Sequence, residues 1–186
     1  MAAHPGHDLV VGLRAMTRAD FPDVLRWRQA PHVVPWFVES GPVTAASVAE
    51  RYGARIDGLV PTRMWVVEAN GRSVGLLQDY RIRDHPEFAV LTPDPDAVGV
   101  DYLIGEEAWL RRGVGTRMLR RWFDLARVGY PDATTYFAAP DHRNVASRRL
   151  LVRVGFTEGI WFDEPQPDGG VATLVGHSLV AASVLG

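Results

Sequence analysis

V-G-V-D-Y-L-I-G-E-E-A-W-L-R-R-G-V-G-T-R-M-L-R, residues 98–120, reads as strand, turn, glycine loop and helix. Val98 to Ile104 is a β-branched and aromatic run of strand length. From Gly113 to Leu125 the apolar residues Val114, Met118, Trp122 and Leu125 recur at helical spacing. Between the two lies Arg111-Arg112-Gly113-Val114-Gly115-Thr116. Glycines without a Cβ let the backbone approach a ligand, and the unpaired N–H groups at a helix start, with the positive end of the helix dipole, attract phosphate. The loop is a candidate pyrophosphate cradle. Arg111, Arg112 and Arg117 lie within reach of its phosphates, whereas Arg120 and Arg121 read as a solvated helix face. Gly-x-Gly alone also fits a tight turn feeding a helix. Two other phosphate motifs are excluded: a dinucleotide fingerprint needs a third glycine where Met118 stands, and a P-loop needs Gly-Lys-Ser/Thr, which the chain lacks.

Strand alternation puts Gly99, Asp101 and Leu103 on one face and Val100, Tyr102 and Ile104 on the other. A carboxylate thus stands inside a central strand just before the loop. Burying a charge is costly, and one is retained where it has a partner or a task. Asp101 is therefore the candidate catalytic residue.

Outward from this centre, Leu9 to Arg14 reads as a strand, and Thr17-Arg18-Ala19-Asp20 as a capping box opening a helix to about Gln29, with Phe21, Val24 and Leu25 inward. Pro31 to Glu39, bracketed by prolines, reads as an extended loop carrying Trp36 and Phe37. Thr44 caps a second helix to about Ile56, with Val48, Tyr52 and Ile56 on one face and Gly58 at its end. Met64–Glu68 and Ser73–Tyr80 form a hairpin through Asn70-Gly71. Arg81 to Ala97 reads as a functional loop. After the central helix come a strand at Thr134–Ala138, a helix from Asn144 to Val154 ended by Gly155, and closing strands at Thr157–Phe162 and Val171–Val180. The order β-α-α-β-β-β-α-β-α-β-β predicts a mixed α/β fold.

The chain has 186 residues, 47% of them hydrophobic and 23% charged. That is long enough to bury roughly 70% of the extended-chain surface in one domain, with the first eight residues a tail. A net charge of −2 offers no basic surface for nucleic acid. With no cysteine, disulfides, thiolate nucleophiles and Cys-based zinc sites are absent. His4 and His7 lack accompanying ligands and the other histidines lack metal-ligand spacing, so no metal is expected. No signal-like or spanning apolar run is present, and a cytoplasmic location without membrane contact is expected.

R-R-G-V-G-T after a strand and before a helix resembles the coenzyme A-binding motif of the GNAT superfamily of acyl-CoA-dependent N-acyltransferases. The element order is also that of the GNAT fold, in which the fourth and fifth strands splay and acyl-CoA enters the gap. His32-Val33-Val34-Pro35-Trp36-Phe37, Gly75-Leu76-Leu77-Gln78-Asp79-Tyr80, Asp94-Pro95, Gly99-Val100-Asp101 and Asn144 through Gly155-Phe156 look like successive landmarks of the aminoglycoside 6'-N-acetyltransferases. The resemblance spans roughly residues 9 to 162. It implies acetyl-CoA as co-substrate, Asp101 as the active-site carboxylate, and Trp36, Gln78 and Glu87 at the acceptor pocket. It also implies Arg112, Gly113, Val114, Gly115 and Thr116 at the pyrophosphate, and Asn144 on the coenzyme side of the cleft. Two positions depart from the pattern. Ala139 stands where those enzymes carry a second carboxylate, with Asp141 as its candidate substitute, and Leu151 stands where many members have a tyrosine proposed to protonate the departing thiolate.

Amide formation from a thioester needs a free amine lone pair, yet an alkyl amine arrives mostly as ammonium, with a pKa near ~10.4. Asp101 can bind that ammonium and assist its deprotonation directly or through water. Backbone N–H groups near Leu103, where the strand splays, are the expected oxyanion donors. With no Cys, no G-x-S-x-G elbow and no Ser/His/Asp order, direct transfer in a ternary complex is expected. The small-molecule amine expected is an aminoglycoside 6'-amine. The rivals are a hydroxylysine or siderophore precursor and, from another class, a non-catalytic acyl-CoA-binding module.

Overall fold

The computed structural model describes residues 9–86 and 94–184. Its strands are β1 Val11–Ala15, β2 Thr62–Ala69, β3 Arg72–Arg81, β4 Val98–Ile104, β5 Thr135–Ala138, β6 Thr157–Pro165 and β7 Val171–Val180. Its helices are α1 Phe21–Arg28, α2 Ala45–Ile56, α3 Val114–Gly129 and α4 Val145–Arg153. The strands make one sheet in the order β1-β2-β3-β4-β5-β7-β6, the mixed α/β architecture that the element order predicts. Glu87 and most of the functional loop expected before β4 lie outside the described residues, as do His4, His7 and the rest of the expected tail.

Local chemistry accounts for the elements. Asn70 and Gly71 take φ of 50° and 75°, the two left-handed residues of a tight hairpin turn between β2 and β3. Thr44 and Ser47 cap α2 reciprocally, Oγ1 of Thr44 accepting from the Ser47 N–H at 3.1 Å and Oγ of Ser47 from the Thr44 N–H at 2.9 Å. At α1 the Thr17–Asp20 box forms, but it opens a 3-10 turn, Arg18–Asp20, and the α-helix begins only at Phe21. Pro22 sits in the first turn of α1, where its missing N–H costs nothing. The loop at Pro31–Glu39 is more tightly wound than the extended form its prolines suggest. It holds a 3-10 turn, Val34–Trp36, because the donors that close it are the N–H groups of Trp36 and Phe37, not of Pro35.

Two cores flank the sheet. On one face α3 and α4 bring Val114, Met118, Trp122 and Leu151 onto Val67, Leu77, Val98 and Val100. On the other, Val24, Trp27, Val48 and Tyr52 of α1 and α2 cover Met64, Val66, Leu76 and Leu103. β4 divides its side chains between them as strand alternation requires, Val98 and Val100 with α3 and Leu103 with α1 and α2.

The feature that positions the site is the junction of β4 and β5. They pair in parallel only at Val98↔Tyr136 and Gly99↔Phe137. β4 stays in register with β3 up to Ile104↔Gly75, whereas the chain beyond β5 follows β7, through Val175 N–H to the Pro140 carbonyl and His142 N–H to the Thr173 carbonyl, both 2.9 Å. The two strands part because each keeps its other neighbour. Among the described residues, the β5 side of Val100–Ile104 therefore has no strand beside it. No helix among the described residues is long and apolar enough to cross a membrane.

Candidate active site

The β2–β3–β4 register sets Met64, Gln78 and Asp101 in one row across the α1–α2 face, with Thr62, Tyr80 and Gly99 in the next row but one along the strands. Gln78 donates from Nε2 to Oδ2 of Asp101 at 2.7 Å, and Arg55, from the last turn of α2, donates to Oε1 of Gln78 at 2.6 Å. The Tyr80 hydroxyl also hydrogen-bonds Asp101. Burial first, and then Asp101, push that hydroxyl well above the usual tyrosine value. Gly99 permits this arrangement, since a Cβ there would lie 2.8 Å from the Tyr80 ring. Asp101 thus stands half-buried, level with the unpaired reach of β4.

Glu164, near the end of β6, joins this group. Burial foremost, and the charge of Asp101 as well, push its carboxyl above the usual range, while a hydrogen bond from Gln166 opposes the shift. The sequence reading placed Glu164 only just beyond a closing strand, and nothing local to it marks a site. Asp141, the expected second carboxylate, is engaged elsewhere. Arg143 holds Oδ1 and Oδ2 at 2.9 and 2.7 Å, and the Arg143 N–H adds a further bond at 2.8 Å. Trp36 lies in the 3-10 turn, partly exposed. His32 pins that loop to the end of β4, its Nε2 lying 2.9 Å from the Ile104 carbonyl.

The residues expected to form the coenzyme loop lie at the start of α3, on the other face of the sheet. Gly113 is the N-cap of α3 at φ 82°, and no side chain caps the helix. That left-handed turn suits glycine, and it leaves the first-turn N–H groups of α3 open to an anion. Arg111, Arg112 and Arg117 are exposed around it, and Arg111 is itself left-handed at φ 59°. Val114 is buried in the core, so only its backbone faces the loop. Gly115 has a second reason to be glycine: a Cβ there would fall 2.7 Å from Cδ2 of Leu150, so it also sets how closely α3 packs on α4.

Asn144 caps α4, its Oδ1 accepting from the Ser147 N–H at 3.1 Å. Ser147 Oγ in turn lies 2.8 Å from the Tyr102 hydroxyl, a bond between β4 and α4 that sequence inspection missed. Burial raises the Tyr102 hydroxyl above its usual value, so it stays protonated. Leu151 is fully buried and offers no donor. Among the described residues no cluster of three or more His, Asp or Glu is placed to hold a metal.

A carboxylate on one face, an anion-accepting helix start on the other and an unpaired strand edge between them suit the joining of an amine to an anionic carrier. The sequence matches the acetyltransferase (GNAT) domain family over residues 16–163. It is 26% identical over 148 residues to an aminoglycoside N(6')-acetyltransferase type 1 of Klebsiella pneumoniae, covering 78% of this chain and 73% of that protein. The structure is similar to that of AAC(6')-Ib in complex with paromomycin and acetyl-CoA, with a TM-score of 0.77 at 25% identity, covering 93% and 96% of the two chains. It shares its fold, at 16% identity and a TM-score of 0.69, with a spermidine N-acetyltransferase chimera from Vibrio cholerae and hSSAT, covering 94% of this chain and 98% of that one. With the family matched through both the carboxylate strand and the glycine loop, the chain belongs to the GNAT superfamily and is an acetyl-CoA-dependent acetyltransferase.

Proposed function

We propose that the protein transfers the acetyl group of acetyl-CoA directly to a primary amine, and that the acceptor is the 6'-amine of an aminoglycoside. What supports the acceptor class is the half-buried carboxylate of Asp101 on the stretch of β4 that has no strand on its β5 side, with that of Glu164 near enough to feel its charge. A monoamine needs one such partner, whereas an aminosugar with several ammonium groups has use for two. The names of the relatives point the same way. Glu164 then takes the place that Ala139 leaves without a carboxylate.

In this reading the open first turn of α3, with Arg111, Arg112 and Arg117, receives the coenzyme pyrophosphate, and Asn144 flanks the same side. The thioester lies in the gap beside Val100–Ile104. Asp101 binds the ammonium and helps remove its proton, and the freed lone pair attacks the thioester carbonyl. The oxyanion is met by fixed backbone N–H groups of the strand edge near Leu103. Collapse breaks the C–S bond and expels the thiolate, and the second proton lost from the nitrogen passes to that thiolate through water.

Acetyl-CoA at about a hundred times its Kd should stabilise the fold by ~2.7 kcal/mol, a rise in melting temperature of roughly 5 to 10 °C. Gly113→Val should abolish that rise, since side-chain bulk would stand where the backbone meets phosphate. Gly115→Val is the poorer test because it also collides with Leu150. Thermal melts with and without the coenzyme decide the point, and a full rise in Gly113→Val would remove the cradle.

Kanamycin-type compounds with a free 6'-amine should be acetylated and their 6'-hydroxyl analogues should not. Their KM should rise with ionic strength, and rise again in Glu164→Gln and Trp36→Ala. Because the Glu164 carboxyl is raised, it becomes the charged partner of a cation only as pH climbs through that raised value. KM should therefore fall over that interval, and the fall should vanish in Glu164→Gln. Acetylation of a hydroxylysine derivative or another small amine, but of no aminoglycoside, would overturn the acceptor assignment and leave acetyl transfer standing.

A further inference from the structure

Arg55 stands apart from the other arginines. Among the described residues it is the one that is neither exposed nor paired with a carboxylate. Its guanidinium lies over the Tyr52 ring at 5.5 Å and makes one hydrogen bond, to Oε1 of Gln78. Burial, and then the charge of Arg51, lower its pKa. A half-buried cation with no carboxylate in ion-pair contact is costly; the charge of Asp101 offsets part of that cost, and what Arg55 touches is the residue that touches Asp101.

We propose that Arg55 is a positioning residue for Asp101, acting through the side-chain amide of Gln78. The chemistry of the chain permits only one arrangement. A guanidinium can only donate, and an ionised carboxylate can only accept. The amide between them must turn its oxygen to Arg55 and its nitrogen to Asp101, as the 2.6 and 2.7 Å contacts show. Without Arg55 only Asp101 still favours that orientation, and the amide oxygen loses the donor that fixes the other end of the side chain. With Arg55 in place, the cation also polarises the amide N–H toward the carboxylate, as hydrogen bonds in series do. Oδ2 is thereby held by Gln78 while Oδ1 remains for other partners. No feature of the sequence around Arg55 marks it, since Gln78 and Asp101 lie on strands elsewhere in the chain.

This inference rests on Asp101 being the carboxylate that binds the amine, and its test separates the two. In Arg55→Met, kcat should fall roughly tenfold, the worth of a hydrogen bond to a charged group, with the coenzyme-induced thermal shift unchanged. Gln78→Leu should fall similarly, and the double variant by clearly less than the product of the two losses, because Gln78 carries the hydrogen-bonded contact between Arg55 and Asp101. If Arg55 merely repelled a cationic acceptor, Arg55→Met would lower KM and leave kcat as it was. Losses that multiply in the double variant, or an unchanged kcat, would overturn the proposal.

A readout independent of any acceptor comes from the Gln78 side-chain amide in NMR spectra. Its protons should be deshielded and slow to exchange in the native protein, and should move to ordinary values in Arg55→Met. A Gln78 signal indifferent to that substitution would sink the relay whatever amine is acetylated. A shifted signal with Asp101→Asn fully active would instead keep the relay and discard the catalytic role of Asp101.

Discussion

Asp101→Asn is expected to reduce kcat by about 10²–10⁴-fold, the range for a lost acid–base group, while acetyl-CoA still raises the melting temperature as in the native protein. The substitution preserves shape and removes charge. An asparagine in that position can still face Gln78 and Tyr80, but it cannot offer an ammonium a charged partner or accept its proton. Coenzyme binding should survive because the helix start lies on the α3 side of the sheet and the Asp101 side chain on the other. Steady-state kinetics with the preferred amine, together with a coenzyme titration followed by thermal melts, test both halves. Full turnover in the variant would move the chemistry to another group. Loss of the coenzyme shift would mean that the two sites are not as separate as the sheet makes them.

The next largest effect is expected at Asp79, one residue after Gln78 and on the opposite face. Its side chain is fully buried. Arg63 donates to its two oxygens at 2.6 and 3.0 Å, Tyr130 to Oδ1 at 2.8 Å, and the indoles of Trp65 and Trp122 to Oδ2 at 3.0 and 2.8 Å. One carboxylate thereby ties β2, β3 and α3 together with Tyr130 just beyond the helix. Removing one partner of a buried ion pair costs about 3–5 kcal/mol, since the remaining donors lose their acceptor. Asp79→Ala should lower the melting temperature by on the order of 10 °C or more. At a temperature where the variant is folded, KM and kcat should remain close to native, because nothing on the Asp101 face is removed. A denaturation curve unchanged from native would show that the hub is replaceable by water.

These two neighbours, Gln78 and Asp79, show how far reading along the chain reaches. Period-2 alternation says that they face opposite sides, and they do. It does not say which side holds chemistry and which holds a structural ion pair. That depends on what the helices deliver: Arg55 from α2 to one face, Trp122 from α3 to the other. The glycine loop was similarly legible as a helix start. The contact of Gly115 with Leu150 was not, because it depends on how closely a second helix lies, 35 residues further along.

By itself the sequence determines the element order, the hairpin at Asn70-Gly71, the caps at Thr17 and Thr44, the two faces of β4 and the uncapped glycine start of α3. Each is specified by residues within a few positions of one another, through steric limits on φ, side-chain bonds to nearby N–H groups and strand alternation. Only the tertiary structure decides the gap between β4 and β5, the approach of Glu164 to Asp101 and the relay from Arg55 through Gln78. Arg55 and Gln78 are 23 residues apart, as are Gln78 and Asp101, and no local rule brings them together. They meet because β2, β3 and β4 pair in one register and α2 packs across them, and the gap opens because β4 keeps β3 as its neighbour while the chain beyond β5 keeps β7.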